Sequence, residues 1–221
     1  LPEGIVAGAV LRPEEPRDVL VSQSDDAVSL PTLDAGVRVG VSGARRTAFL
    51  RVHRPDLEPV APDNGGGAGR ALRSGTVDAA ILGAAEARRL SLWDLVAEAL
   101  EAKSWVPSPG QGTILVLCRT GDDISADAAA AVGTTPARVA LRAEAAVRAA
   151  LGAEMDAPLG VLAQPHGRWV RVWAMAASPD GHQVIRGDVT GSALEPAAAG
   201  FDLAEILLQR GVGALLAEAS A

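Results

Sequence analysis

Between Val37 and Leu82 short β-like runs and helical stretches alternate strictly, and that alternation restricts the fold more than any other feature of the chain. Val37 to Val41 reads as a strand, Ala44 to Val52 as a helix, Leu57 to Val60 as a short strand, the stretch through Leu72 as a helix and Val77 to Leu82 as a strand. Units of this kind bury their apolar faces by laying helices over a mostly parallel sheet, which predicts an α/β fold. Ala84 to Leu90 and Leu92 to Ala102 read as further helix. Pro107-Ser108-Pro109-Gly110-Gln111-Gly112 then breaks the pattern and leads into a strand around Ile114 to Leu117.

A different pattern follows. Thr134 or Thr135, with Pro136 in the first turn, caps a long helix that runs to Leu151 and ends at Gly152. Gly160 to Ala163, Arg168 to Ala176 and Gln183 to Thr190 read as three short strands turning at His166-Gly167 and Pro179-Asp180-Gly181, and Asp202 to Ala219 reads as a closing helix. That order predicts a small antiparallel α+β domain. With 221 residues, 48% of them apolar, the chain buries a sizeable core; much of the apolar content is alanine and there is no tyrosine, so packing must be close.

A net charge of −7 repels phosphodiester backbones and anionic lipid, so nucleic acid is excluded as the expected partner. No stretch reaches the roughly 18 consecutive apolar residues of a membrane span. The single cysteine, Cys118, lies in an apolar run, reads as a small buried hydrophobe, and fits a reducing cytoplasm. Opening at Leu1 directly into the extended segment Ile5 to Leu11, the chain is expected to lack an upstream part.

One turn carries chemistry. Gly40, Ser42, Arg45 and Arg46 sit where a strand gives way to a helix, and exposed N–H groups, a hydroxyl and two guanidinium groups there make a cradle for a carboxylate or phosphate. Asp63-Asn64-Gly65-Gly66-Gly67-Ala68-Gly69-Arg70 is glycine-rich but has neither a P-loop ending nor a dinucleotide fingerprint, and reads as a loop ahead of a helix. His53, His166 and His182 are scattered, no metal-ligand spacing is present, and no metal is expected. His166 and His182 read as turn residues. Trp169 and Trp173 fall on one side of a strand and are expected to pack against the closing helix. Glu154 and Asp156 read as exposed loop carboxylates.

Taken in order, these segments resemble the porphobilinogen deaminase (hydroxymethylbilane synthase) family along nearly the whole chain. Leu1-Pro2-Glu3-Gly4 and Glu15-Pro16-Arg17-Asp18 look like the passage from the family's first domain to its hinge. Val39-Gly40-Val41-Ser42-Gly43-Ala44-Arg45-Arg46 is similar to the Gly-Thr-Ser-Ser-Leu-Arg-Arg signature, and Arg54-Pro55-Asp56-Leu57 follows at the family's distance. Val77 to Leu82, Arg88-Arg89-Leu90, Pro109-Gly110-Gln111-Gly112, Asp156 to Gly160 and Ser178-Pro179-Asp180-Gly181 continue the resemblance.

The resemblance implies periplasmic-binding-protein-like α/β domains around a cleft plus a small third domain. Residues 1–16 would be a remnant of the first domain and hinge, 17–105 the second α/β domain, 106–132 a return segment to the first, and 133–221 the C-terminal α+β domain. It implies cytoplasmic tetrapyrrole biosynthesis, in which porphobilinogen units are joined into hydroxymethylbilane. A dipyrromethane cofactor is held on a cysteine, and arginines grip the pyrrole carboxylates. Ser42, Arg45, Arg46 and Arg89 inherit the carboxylate-binding role. The family's Gly-Gly-Cys reads Ala153-Glu154-Met155 here, so covalent attachment is expected to be absent. Its Arg-Gly-Asn and Thr-Arg read Pro62-Asp63-Asn64 and Gly67-Ala68, which leaves Arg70 or Arg73 as substitutes. The family's catalytic aspartate would lie before Leu1, so no residue here is assigned as catalytic, and an upstream segment or a partner chain is expected to complete the first domain. The alternative is a non-catalytic or specialised-pathway paralogue that binds a pyrrole or another small carboxylate.

Overall fold

A computed structural model describes residues 2–11, 13–24, 28–62 and 67–219. A five-stranded sheet forms the first layer. Its strands are β2 (Asp18–Ser22), β3 (Arg38–Val41), β4 (Glu58–Val60), β5 (Ala79–Gly83) and β6 (Val96–Ala99), in the order β4-β3-β5-β2-β6. The alternating segment supplies its parallel half, β4-β3-β5, whereas β2 and β6 pair antiparallel, so the sheet is mixed rather than mostly parallel.

Period-two side-chain alternation divides this sheet between two cores. Leu20, Val39, Val41, Ala79 and Ile81 face Phe49 and Leu50 of α1 (Ala44–His53). Val19, Val21, Ala80 and Leu82 face Leu72 of α2 (Gly67–Arg73) and Ala84 and Ala87 of α3 (Ala84–Arg89). The helix expected from Leu92 to Ala102 is absent: a 3-10 turn at Trp93–Leu95 leads into β6, whose backbone pairs with β2. The apolar spacing there is equally compatible with a short strand, and the open side of β2 decides for the strand because its N–H and C=O groups need partners.

A separate antiparallel pair joins β1 (Ile5–Val10) to β7 (Leu115–Arg119), with α4 (Asp123–Ala130) against it. Cys118 is buried there beside Ala9 and Ala129, as its apolar run predicts.

The C-terminal sheet has the order β10-β9-β8, from β8 (Leu159–His166), β9 (Trp169–Ala177) and β10 (Val184–Ser192). Val161, Ala163, Val170, Val172, Ala174 and Ala176 face α5 (Thr135–Ala150) and α6 (Pro196–Gln209). The two helices come so close that a Cβ on Gly200 would lie 2.4 Å from the Ala143 carbonyl oxygen. The closing helix expected over Asp202 to Ala219 is two helices, because Gly211 at φ 91° turns the chain between α6 and α7 (Val212–Ala219). Trp169 and Trp173 share one side of β9 as expected, but it is the side opposite the helices: Trp169 is exposed and Trp173 packs at the edge of the α/β core.

Leu162, Met175 and Ala177 of the C-terminal sheet belong to that same α/β core. Apolar packing is therefore continuous from one sheet to the other. The Val161 N–H donates to Pro107 O at 2.8 Å, and a Cβ on Gly160 would collide with the Val106 carbonyl. No helix among the described residues is long and apolar enough to cross a membrane.

Candidate functional site

The Ser42–Arg46 turn begins α1, with Gly43 at φ 86° ahead of the helix. Two arginines in a first turn face the positive end of the helix dipole, so they need negative charge nearby. Asp18 supplies it. This carboxylate is fully buried at the start of β2, whose remaining residues are buried as well.

Asp18 Oδ2 accepts from Arg45 Nη2 at 2.6 Å and from Trp105 Nε1 at 2.9 Å; Oδ1 accepts from Arg46 Nε at 3.1 Å and Gln111 Nε2 at 2.9 Å. Burial alone would raise its pKa, but the charges of Arg45 and Arg46 outweigh burial and hold the carboxyl well below the usual carboxylate range. Arg45 also donates to Ser108 Oγ at 2.8 Å, Val106 O at 3.0 Å and Gln111 Oε1 at 3.2 Å. Its guanidinium is committed to the protein, so it anchors the 106–111 loop to α1. Arg46 is less buried and also lies 3.8 Å from Glu86 Oε2.

Beside this network is a cleft of about 110 Å³ lined by Ser42, Arg46, Ser108, Met155 and Asp156, with Arg45 at its inner wall. Met155 is 82% exposed on the loop between α5 and β8, and Arg148 Nη1 donates to its sulfur. The fold thus brings Ser42, Arg45, Arg46 and Met155 together from segments far apart in the chain. Arg89 ends α3 in an exposed position and is not part of that wall. Arg73 donates to Leu90 O, and Arg70 lines a different cavity beside Pro62 and Ser74, so neither takes a place in the cleft. Residues 63–66 of the glycine-rich stretch lie outside the described residues.

Sequence reasoning gave no role to Asp18, Trp105, Ser108 or Gln111. The signal for Asp18 was a carboxylate abutting the apolar run Val19-Leu20-Val21, a position that demands a cation. Glu144 was missed too. Buried on α5, it accepts from Gly110 N at 2.6 Å and Ala163 N at 2.8 Å. Burial pushes its pKa up to about 7, and the two N–H donors offset only part of that.

The family model "Porphobilinogen deaminase, dipyromethane cofactor binding domain" matches residues 1–127. A porphobilinogen deaminase of Moorella thermoacetica is 39% identical over 224 residues, covering 100% of this chain and 70% of that protein. This chain belongs to the porphobilinogen deaminase family. A Roseiflexus castenholzii relative is 39% identical over 98% of this chain and 71% of its own length, and one from Brevibacillus brevis is 33% identical over 99% and 70%. The chain therefore spans about 70% of the length of these family members. A solved periplasmic binding protein of an ABC transporter from Brucella ovis, with glutathione bound, is 16% identical, covers 57% of this chain and 40% of its own, and superposes with a TM-score of 0.36.

The matched domain is named for a dipyrromethane cofactor. Met155 is a poor fit for thiol attachment, since a thioether sulfur is already dialkylated and has no S–H. The chain's one thiol, Cys118, is buried in β7 with its Sγ 3.6 Å from Ser125 O, and does not line the cleft.

Proposed function

We propose that this chain is a hydroxymethylbilane synthase-like component that holds a pyrrole chain by its carboxylates in the Ser42–Arg46 cleft, without a thioether bond at position 155. The observation that carries this reading is that Met155 and Asp156 border the same cleft as Ser42 and Arg46. Ser42 Oγ and the accessible part of Arg46 would donate to a carboxylate, and Arg89 would meet a ligand long enough to leave the cleft. Arg45 would act by holding the turn and the 106–111 loop in register. In the family reaction porphobilinogen units are joined with loss of ammonia to give hydroxymethylbilane.

A second reading, a binder without turnover, is favoured by charge. Asp18 and Glu86 balance Arg45 and Arg46, and Asp156 adds a negative charge at the cleft wall. Arg148, against the Met155 sulfur, offsets Asp156, so the wall carries no net positive charge and would hold a carboxylate by hydrogen bonds rather than by net charge.

Intact-mass measurement after porphobilinogen treatment of the chain with any upstream segment restored, with bilane and ammonia assayed in parallel, separates the readings. Turnover without a stable mass increase is the expected result, and Met155→Cys should gain an adduct that the native chain lacks. A stable adduct on the native chain would sink the non-covalent reading, whereas saturable pyrrole binding with neither adduct nor bilane would favour the binder.

A further inference from the structure

A cavity of about 310 Å³ opens where the 103–106 loop of the α/β region meets the outer side of β9 and β10 and the end of α6. Lys103, Arg186 and Arg210 line it, together with the indole of Trp173 and the carboxylate of Asp188. Asp188 does not neutralise these cations, because it already accepts from Arg171 Nε at 3.2 Å and Nη2 at 2.9 Å. Four cations thus gather around one carboxylate on a chain whose net charge is −7.

Three of the four cations are held in place. Arg210 Nη1 donates to the Arg186 carbonyl. The Arg171 guanidinium carbon lies 5.0 Å from the Trp173 ring centroid, and Lys103 Nζ lies 5.7 Å from it. Their field reaches neighbouring groups: the His53 pKa is lowered first by burial and, beyond that, by the charge of Arg186, against an opposing hydrogen bond to Ser104 O. Like charges from two packed regions repel across this gap, and an anion between them would turn that repulsion into attraction.

We propose that this cavity binds a compact polyanion carrying two or more phosphate or carboxylate groups, and that the ligand bridges Lys103 on one region and Arg186 and Arg210 on the other. The site is separate from the Ser42–Arg46 cleft and does not depend on what that cleft binds.

Calorimetric titration of the whole chain at low ionic strength, with inorganic pyrophosphate and with tricarballylate as probes, tests the proposal. Saturable binding of at least one probe is expected, with a change in Trp173 emission and weakening as salt is added. Lys103→Gln with Arg186→Gln should weaken it at least tenfold, whereas Arg168→Gln, at an exposed cation that does not line the cavity, should leave it unchanged. Lys103 and Arg186 are both exposed, and an unchanged circular dichroism melt would establish that the double variant folds. The tighter probe names the acid group. No saturable binding of either probe, or equal affinity in the folded double variant, would overturn the proposal.

Discussion

Asp18 and Glu144 are both carboxylates removed from water, one at the start of β2 and the other on α5, yet their surroundings treat ionisation in opposite ways. Asp18 meets two guanidinium groups, an indole N–H and a glutamine amide, and its anion is strongly favoured. Glu144 meets two backbone N–H groups and no cation among the described residues, so burial wins and its pKa rises to about 7. Asp18 has four donors to the two of Glu144, but the charges of Arg45 and Arg46 lower its pKa more than their hydrogen bonds do. A full opposite charge at hydrogen-bond distance offsets the cost of burial where neutral amide dipoles do not. Both carboxylates grip the same loop: Gln111 is held by Asp18, Gly110 by Glu144.

The largest expected effect tests the charged half of this contrast. Asp18→Asn leaves Arg45 buried beside Arg46 without their shared counter-charge, and breaking a buried pair in this way costs roughly 3–5 kcal/mol. Urea denaturation should show that loss. A change below about 1 kcal/mol would mean that the arginines find another anion.

The second prediction tests the neutral half. Between about pH 4.5 and pH 7 the folded chain keeps a proton on Glu144 that the unfolded chain releases, so stability falls as pH rises through that window. A rise from 4.5 to about 7 corresponds to about 3 kcal/mol of pH dependence. Asp18 has the opposite sign: its contribution is complete above the unfolded carboxylate pKa near 3.8 and is lost as pH falls towards its depressed folded value. Denaturation curves of Glu144→Gln should therefore lose the decline between these pH values while keeping acid sensitivity. An unaltered decline would assign it to other groups.

A smaller effect is expected from Trp105→Phe, which removes one neutral donor from Asp18 and leaves both guanidinium groups. Hydrogen bonds to charged groups contribute about 1.5–3 kcal/mol, so the loss should fall below that of Asp18→Asn. If the two were equal, packing of the indole on His53 and Phe49 would be the larger contribution. The smallest effect belongs to Arg171→Gln, which breaks the exposed pair with Asp188. Water and salt screen such pairs, and thermal melts should move by less than about 1 kcal/mol equivalent.

Much of the fold was legible because it follows from short-range pattern. The alternation from Val37 to Leu82, α5 with Pro136 in its first turn and the three C-terminal strands all appear where local periodicity places them, although Thr134 makes no side-chain cap bond. The errors came where local pattern allowed two answers. Leu92 to Ala102 has spacing that serves a helix or a strand, and only the open side of β2 selects β6. Trp169 and Trp173 share a side of β9 by alternation, but which side meets the helices depends on how α5 and α6 dock.

The candidate site divides in the same manner. Ser42, Arg45 and Arg46 were visible from one turn, and Met155 from its place in the family's order. That Arg45 spends its donors on Asp18, Ser108, Val106 and Gln111 was not visible, because its partners come from segments distant in sequence.

By itself the sequence determined the α/β class, the family and the position of the arginine-bearing turn, since each is written in contiguous residues whose spacing matches a helix, a strand or a motif. Only the tertiary structure decided which charges are neutralised, which stay exposed and which carboxylate has its pKa raised by burial. Those properties depend on burial and on distances of a few ångströms between groups that the chain order keeps far apart.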